Sequence, residues 1–141
     1  MEYSHSGLHL TEQFEGCRLI AYQDSVGVWT LGYGHTLDIN EGDTCTQEQA
    51  ELWLQDDIQR VVRQINKDVR WTLSQGEFDA LVDFGFNLGV HALEGSTLWS
   101  YIQSGEHDKA AEEFPKWHHA GGKDVAGLLK RRLVEQETFR A

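Results

Sequence analysis

The sequence predicts an α+β fold: a small β-rich patch near the start, then a long helix leading into a helical region. Three observations predict it. β-branched and aromatic residues crowd the stretch 17–36 around a turn at Asp24-Ser25 and Gly27. From Thr46 onward the apolar residues recur with a period near 3.6. Pro115 is the single proline, so little interrupts helices elsewhere, and the glycines after residue 74 fall between helical runs.

Residues 6–15 read as a short helix, with Ser6 as N-cap, Leu10 and Phe14 one turn apart, and Gly16 to stop it. Residues 17–36 then turn to strand character through Leu19, Ile20, Tyr22, Val26, Val28, Trp29, Leu31 and Tyr33. Gly32 and Gly34 flank Tyr33, which marks a bend or a close backbone approach. A polar loop is expected at 37–45. Thr46 and Gln49 have capping-box spacing, and Ala50, Trp53, Leu54, Ile58, Val61, Val62 and Ile65 form the apolar stripe of a long helix. Ser74 and Glu77 repeat the box ahead of Phe78, Leu81, Val82 and Phe84-Gly85-Phe86. Further helices are expected over Thr97–Gln103, Asp108–Lys116 and Val125–Phe139, joined by turns at Gly89, Gly95, Gly105 and Gly121-Gly122. The expected organisation is a single catalytic domain over 1–141. It comprises a β-rich lobe about 16–45, a linking helix about 46–66 and a helical lobe about 70–141.

Composition narrows the function. The chain has 141 residues, 40% of them hydrophobic, with five Trp, six Phe and four Tyr, enough for a core that needs no disulfide. Cys17 and Cys45 stand in no metal-type spacing and are expected as two reduced thiols; no metal or cofactor is implied. The net charge is −11 and the longest basic run is Lys130-Arg131-Arg132, which argues against nucleic-acid binding. The same charge does not steer the protein toward a polyanionic surface. No apolar stretch is long enough to span a membrane. The first residues carry neither a basic nor an apolar signal region, so synthesis in the cytoplasm is expected, without a signal peptide.

Glu15 closes the first helix and Asp24 sits in the turn that follows, with eight residues between them. A helix that stops and a strand that turns back bring such residues to one cleft. Cleaving a glycosidic bond needs a carboxyl pair of this kind. By itself the pair reads as solvated surface, since the chain holds 23 acidic residues. Thr30 alone reads as a strand former, and a lone His35 beside glycines as structural. A hydroxyl near Asp24 is nevertheless suited to holding a water, and the glycines leave room for a sugar. The residues themselves reach as far as a carbohydrate cleft.

The block from Glu15 to Thr36 resembles the active-site region of phage lysozymes of the T4 endolysin type, glycoside hydrolase family 24. That family carries a Glu, an Asp after eight intervening residues and a Thr after five more; here these are Glu15, Asp24 and Thr30, followed by Gly32-Tyr33-Gly34-His35. Thr46 to Ile65 resembles the family's linking helix, and Ala80-Leu81 through Phe86-Asn87-Leu88-Gly89 a substrate-facing part of its helical lobe. Gly127-Leu128, Arg131-Arg132, Glu135 and Phe139 resemble its closing helix. The resemblance implies a lysozyme-like fold and a muramidase that hydrolyses peptidoglycan for phage-driven host lysis. Glu15 is then the general acid. Asp24 stabilises the oxocarbenium-like state, positions water or forms a covalent adduct, and Thr30 fixes Asp24 or the water. Gly34, Phe86, Asn87 and Arg131 are implied as substrate contacts, with Arg131 near the catalytic Glu, and His35 and Asp57 as a structural ion pair between lobes. The implied setting is a monomer that a separate pore-forming partner, a holin, releases to the periplasm. The alternatives are a lytic transglycosylase and a catalytically silent glycan-binding phage protein. The two cysteines and the acidic balance depart from the family pattern.

Overall fold

The computed structural model describes residues 1–120, 123–124 and 126–141. The expected turn at Gly121-Gly122 and the expected helix start at Val125 lie outside the described residues. The chain divides into two compact units, one formed by Met1–Gly7 with Val61–Ala141 and the other by Leu8–Arg60.

Helix α1 spans His5–Glu15, one residue earlier than the sequence suggests. Its cap is Ser4, not Ser6: the Ser4 hydroxyl accepts from Gly7 N at 3.0 Å and donates to the Asp79 carboxylate. Two serines compete for the capping role, and a carboxylate 75 residues away decides between them.

In the 8–60 unit, strand β1 (Arg18–Gln23) pairs antiparallel with β2 (Trp29–Gly32), with a register shift between Arg18 and Tyr22. The stretch 37–45, expected as a loop, is not wholly one. Its end lies along the other edge of β1, where Cys45 N donates to Leu19 O at 3.1 Å and Ala21 N donates to Asp43 O at 2.8 Å. Helix α2 (Gln47–Asp68) follows, with Gln49 N donating to the Thr46 hydroxyl at its start. Its Ala50, Leu54 and Ile58 are buried, as are Leu10, Leu31 and Tyr33. Gly32 (φ +67°) lets the β2 end approach this helix: a Cβ there would stand 3.1 Å from Ala50 Cβ. Cys17 and Cys45 are both free thiols, as expected.

The other unit is helical. Helix α3 (Gln75–Leu88) begins with a complete capping box, Glu77 N on the Ser74 hydroxyl and Ser74 N on the Glu77 carboxylate. A short helix α4 (Val90–Glu94) follows between Gly89 and Gly95; its five residues are too few to announce themselves by periodicity. Helix α5 (Thr97–Gln103) has the expected bounds and is capped by Ser96. The expected helix over Asp108–Lys116 divides into α6 (His107–Glu113) and a 3₁₀ turn, Phe114–Lys116. Pro115 supplies the reason, having no N–H to continue an α ladder. Strands β3 (His119–Ala120) and β4 (Lys123–Asp124) form a two-stranded ladder where the sequence suggests only a turn, and helix α7 (Ala126–Arg140) closes the chain. Helix α3 packs against α7, buried continuously from Phe78 to Gly85. Phe84 meets Phe114 and Trp117 edge-on, with centroids 5.8 and 5.4 Å away.

Candidate functional site

The β1–β2 turn is built around Asp24. Its Oδ1 accepts from two backbone amides, Val26 N at 3.0 Å and Val28 N at 2.9 Å, an arrangement suited to a short acidic side chain in a tight turn. The Val28 carbonyl is shared as well. It accepts from Asp24 N at 2.9 Å and from the Thr30 hydroxyl at 2.9 Å. One backbone residue therefore ties Asp24 and Thr30 together. Two consequences follow for chemistry. Oδ2 of Asp24 is left without a protein partner among the described residues, and the Thr30 hydroxyl, its proton committed to Val28, faces any further group as an acceptor.

Glu15 is the last residue of α1. Gly16 (φ +66°) ends the helix in the left-handed region, its N–H donating to Glu12 O at 3.0 Å. The half-buried Glu15 side chain lies over Gly34, where a Cβ would come within 3.0 Å of Glu15 Oε1. The absence of a side chain at Gly34 thus leaves room for the Glu15 carboxylate beside the backbone. Gly34 also has φ +81°, a backbone conformation that favours glycine, and an added Cβ would press on the Glu15 carboxylate.

His35 follows directly. Its Nδ1 donates to Asp57 Oδ2 at 2.9 Å, and its ring stacks on Trp53, with centroids 4.5 Å apart and planes 9° from parallel. Both partners belong to the 8–60 unit, so the contact fastens the β-region to α2 inside one unit and does not bridge two. The sequence marks Trp53 only as a core position. Its spacing of four from Asp57 puts both on one helix face, a signal for a shared partner.

Phe86, Asn87 and Arg131 stand in the other unit, Phe86 and Asn87 half-buried in the last turn of α3 and Arg131 on α7. Arg131 is buried and forks onto Asp83, Nε to Oδ2 at 2.9 Å and Nη2 to Oδ1 at 2.8 Å. Beside it Arg132, fully buried, donates through Nη2 to Glu135 Oε2 at 2.9 Å and to Asn87 Oδ1 at 2.8 Å. Its Nε also approaches Glu135 Oε1 to 2.7 Å without hydrogen-bond alignment, so this contact is electrostatic only. Burial pushes the Glu135 carboxyl well above the usual range and neighbouring Asp83 adds to the rise, against the pull of Arg132 and Arg131. Asp83 carries no signal in the sequence, because an acid inside an apolar helix run becomes legible only once its arginine is known.

Comparison with known proteins agrees with this picture. The Phage lysozyme family matches residues 12–135. An endolysin of Acyrthosiphon pisum secondary endosymbiont phage 1 is 43% identical over 99% of this chain and 98% of its own length. An endolysin of Bacillus phage B103 is 41% identical over 99% of this chain, which spans about half, 54%, of that longer protein. Among solved structures, the muramidase domain of SpmX from Asticcacaulis excentricus superimposes with a TM-score of 0.92 at 35% identity, covering 99% of this chain and 98% of that one. Family match, full-length identity and shared architecture point the same way: the chain belongs to the phage lysozyme family and is a lysozyme-type glycoside hydrolase of the endolysin kind.

Proposed function

We propose that the whole chain, 1–141, is one catalytic domain that hydrolyses the β-1,4 bond between N-acetylmuramic acid and N-acetylglucosamine in peptidoglycan, with Glu15, Asp24 and Thr30 as its catalytic residues. The observation that carries the reading is the shared Val28 anchor, which holds Asp24 by Oδ1 and commits the Thr30 proton. A water donating one hydrogen to Asp24 Oδ2 and the other to Thr30 Oγ1 has its lone pair directed away from both, toward an anomeric carbon. Asp24 takes the proton as the water attacks. Glu15 protonates the departing glycosidic oxygen, so one proton enters the leaving group and one leaves the nucleophile. The reaction is then an inverting hydrolysis, which needs a carboxyl separation of about 6.5–9.5 Å to admit the water. Gly34, Phe86, Asn87 and Arg131 contact the glycan. His35 and Asp57 are structural.

The setting that fits is synthesis in the host cytoplasm, release by a holin and action on the wall from the periplasm, as a monomer. The test is lysis of permeabilised Gram-negative cells followed by turbidity. Glu15→Gln and Asp24→Asn are each expected to lose at least about 100-fold in rate while melting near wild type. Near-normal lysis by either folded variant overturns the assignment. The anomer released from a defined oligosaccharide decides the stereochemistry: release of the β-anomer means retention and makes Asp24 the nucleophile. Anhydro-sugar products would indicate a transglycosylase.

A further inference from the structure

The buried charges of α3 and α7 contain one contact whose polarity is forced. A guanidinium carries five N–H donors and no acceptor, so whatever carboxamide atom meets it must be the oxygen. Arg132 Nη2 stands 2.8 Å from the Asn87 side chain, and Arg132 is itself immobile: fully buried, hydrogen-bonded to Glu135, and with its guanidinium carbon 5.0 Å from the centroid of the Phe84 ring. Asn87 therefore cannot exchange its two ends. Its oxygen is turned inward and its NH₂ group outward. That NH₂ has no partner among the described residues, although Asn87 is half-buried. It is open to solvent there, and an acceptor on a bound ligand can take the place of that water.

We infer that Arg132 is a positioning residue that locks Asn87 as a pure hydrogen-bond donor, and that Asn87 Nδ2 recognises a carbonyl oxygen of the peptidoglycan strand. The inference rests on the reading of Asn87 as a substrate contact and adds the direction of that contact and what enforces it. Two sources of carbonyl exist on such a strand, the acetamido groups of the sugars and the amides of the stem peptides. Both are acceptors of the kind a fixed NH₂ selects.

Asn87→Asp separates a recognition role from a structural one. Aspartate keeps an oxygen on Arg132 and turns that contact into an ion pair, so a residue that only satisfies Arg132 is served equally well. The outward group, however, changes from donor to acceptor. The expected result is a melting temperature at or above wild type, an approximately wild-type kcat, and a KM for soluble peptide-bearing glycan strands raised about tenfold. Arg132→Gln with Glu135→Gln removes the buried charges together and lets either end of Asn87 pair inward. This double variant should show the same KM-selective loss, whereas the single variant Glu135→Gln, which keeps Arg132, should have a wild-type KM. Binding of strands with and without stem peptides to the Glu15→Gln protein, followed through the Asn87 side-chain NH₂ resonances, identifies the carbonyl. A shift with both strands assigns an acetamido group; a shift only with peptide-bearing strands assigns a stem-peptide amide. Wild-type KM in a folded Asn87→Asp protein, or Asn87 resonances that respond to neither strand, overturns the inference. Full lysis by Glu15→Gln, in contrast, strikes the assignment of the acid and leaves the Asn87 measurement standing.

Discussion

Replacing Gly34 by alanine tests whether the acid is held in place by the absence of a side chain. Two costs are separable. The first is conformational: Gly34 has φ +81°, and an L-residue in the left-handed region costs about 1–2 kcal/mol. For a chain of this size that corresponds to a melting temperature lower by about 3–8 °C. The second is local: the new methyl would stand 3.0 Å from Glu15 Oε1, so the carboxylate must retreat by a few tenths of an ångström. Misplacing a reacting group by 1 Å costs about 100-fold, so a smaller retreat should cost roughly tenfold. Gly42 provides the control, with φ +87° and nothing within 4 Å of an added Cβ. Gly42→Ala should lose similar stability and no activity. The assay is kcat/KM on soluble glycan beside thermal melting for both variants. If Gly34→Ala matches Gly42→Ala in both measurements, the glycine serves the backbone alone and the reasoning about Glu15 fails.

Three further outcomes follow from the same physical reading. Removing the partner of His35 by Asp57→Ala should cost about 1–2 kcal/mol and Asp57→Asn less, since the amide can still accept; melting curves that superimpose on wild type would mean the contact contributes nothing. Burial and the neighbouring Asp68 raise the Glu94 carboxyl, so folded Glu94 keeps its proton to higher pH than the unfolded chain does. Its contribution is full below the unfolded pKa and lost as pH rises through the folded one. Glu94→Gln should therefore melt higher than wild type at neutral pH, with the gain shrinking as the medium turns acidic; an unchanged difference across that range would contradict this. Burial raises the thiols of Cys17 and Cys45, the former also through Cys45 and Glu51 nearby, so less thiolate forms at mildly alkaline pH. Iodoacetamide should modify both more slowly in the folded protein than in urea, and equal rates would exclude the effect.

The sequence was most legible where local physics decides. The Ser74–Glu77 box and the stripe from Ala50 to Ile65 needed only a cap and a period, and both stand in the structure. What it hid was settled at a distance. Ser4 displaces Ser6 as the cap of α1 because Asp79 reaches it, and residues 43–45 join the β1 edge because Leu19 and Ala21 offer ladder partners. The division of the helix before Pro115 was readable in principle, since a proline lacking its N–H was in plain view. At the site, the spacing of Glu15, Asp24 and Thr30 was visible, but the Val28 backbone that joins two of them was not. A carbonyl has no signature in a one-letter code. Likewise Arg132 appeared as one of a basic pair on a closing helix, with no sign that it hydrogen-bonds Asn87.

The placement of that basic pair bears on how an acidic protein meets an acidic wall. Lys130-Arg131-Arg132 is the longest cationic run in the chain, yet Arg131 and Arg132 are buried against Asp83 and Glu135. In formal charge the two arginines and two acids cancel, which leaves the net −11 to the rest of the molecule. The run that looked most able to bind polyanions is therefore committed to the interior. A net charge of −11 gives the molecule as a whole no attraction to an acidic wall, so affinity has to come from contacts made at close range. Screening should then help the enzyme. Raising salt from about 0.01 M to about 0.15 M shortens the Debye length from about 30 Å to about 8 Å and weakens the repulsion between protein and wall. Lysis of permeabilised cells should accelerate over that range. A rate that falls steadily with salt would mean that a cationic patch on the surface guides the encounter, against the burial of Arg131 and Arg132.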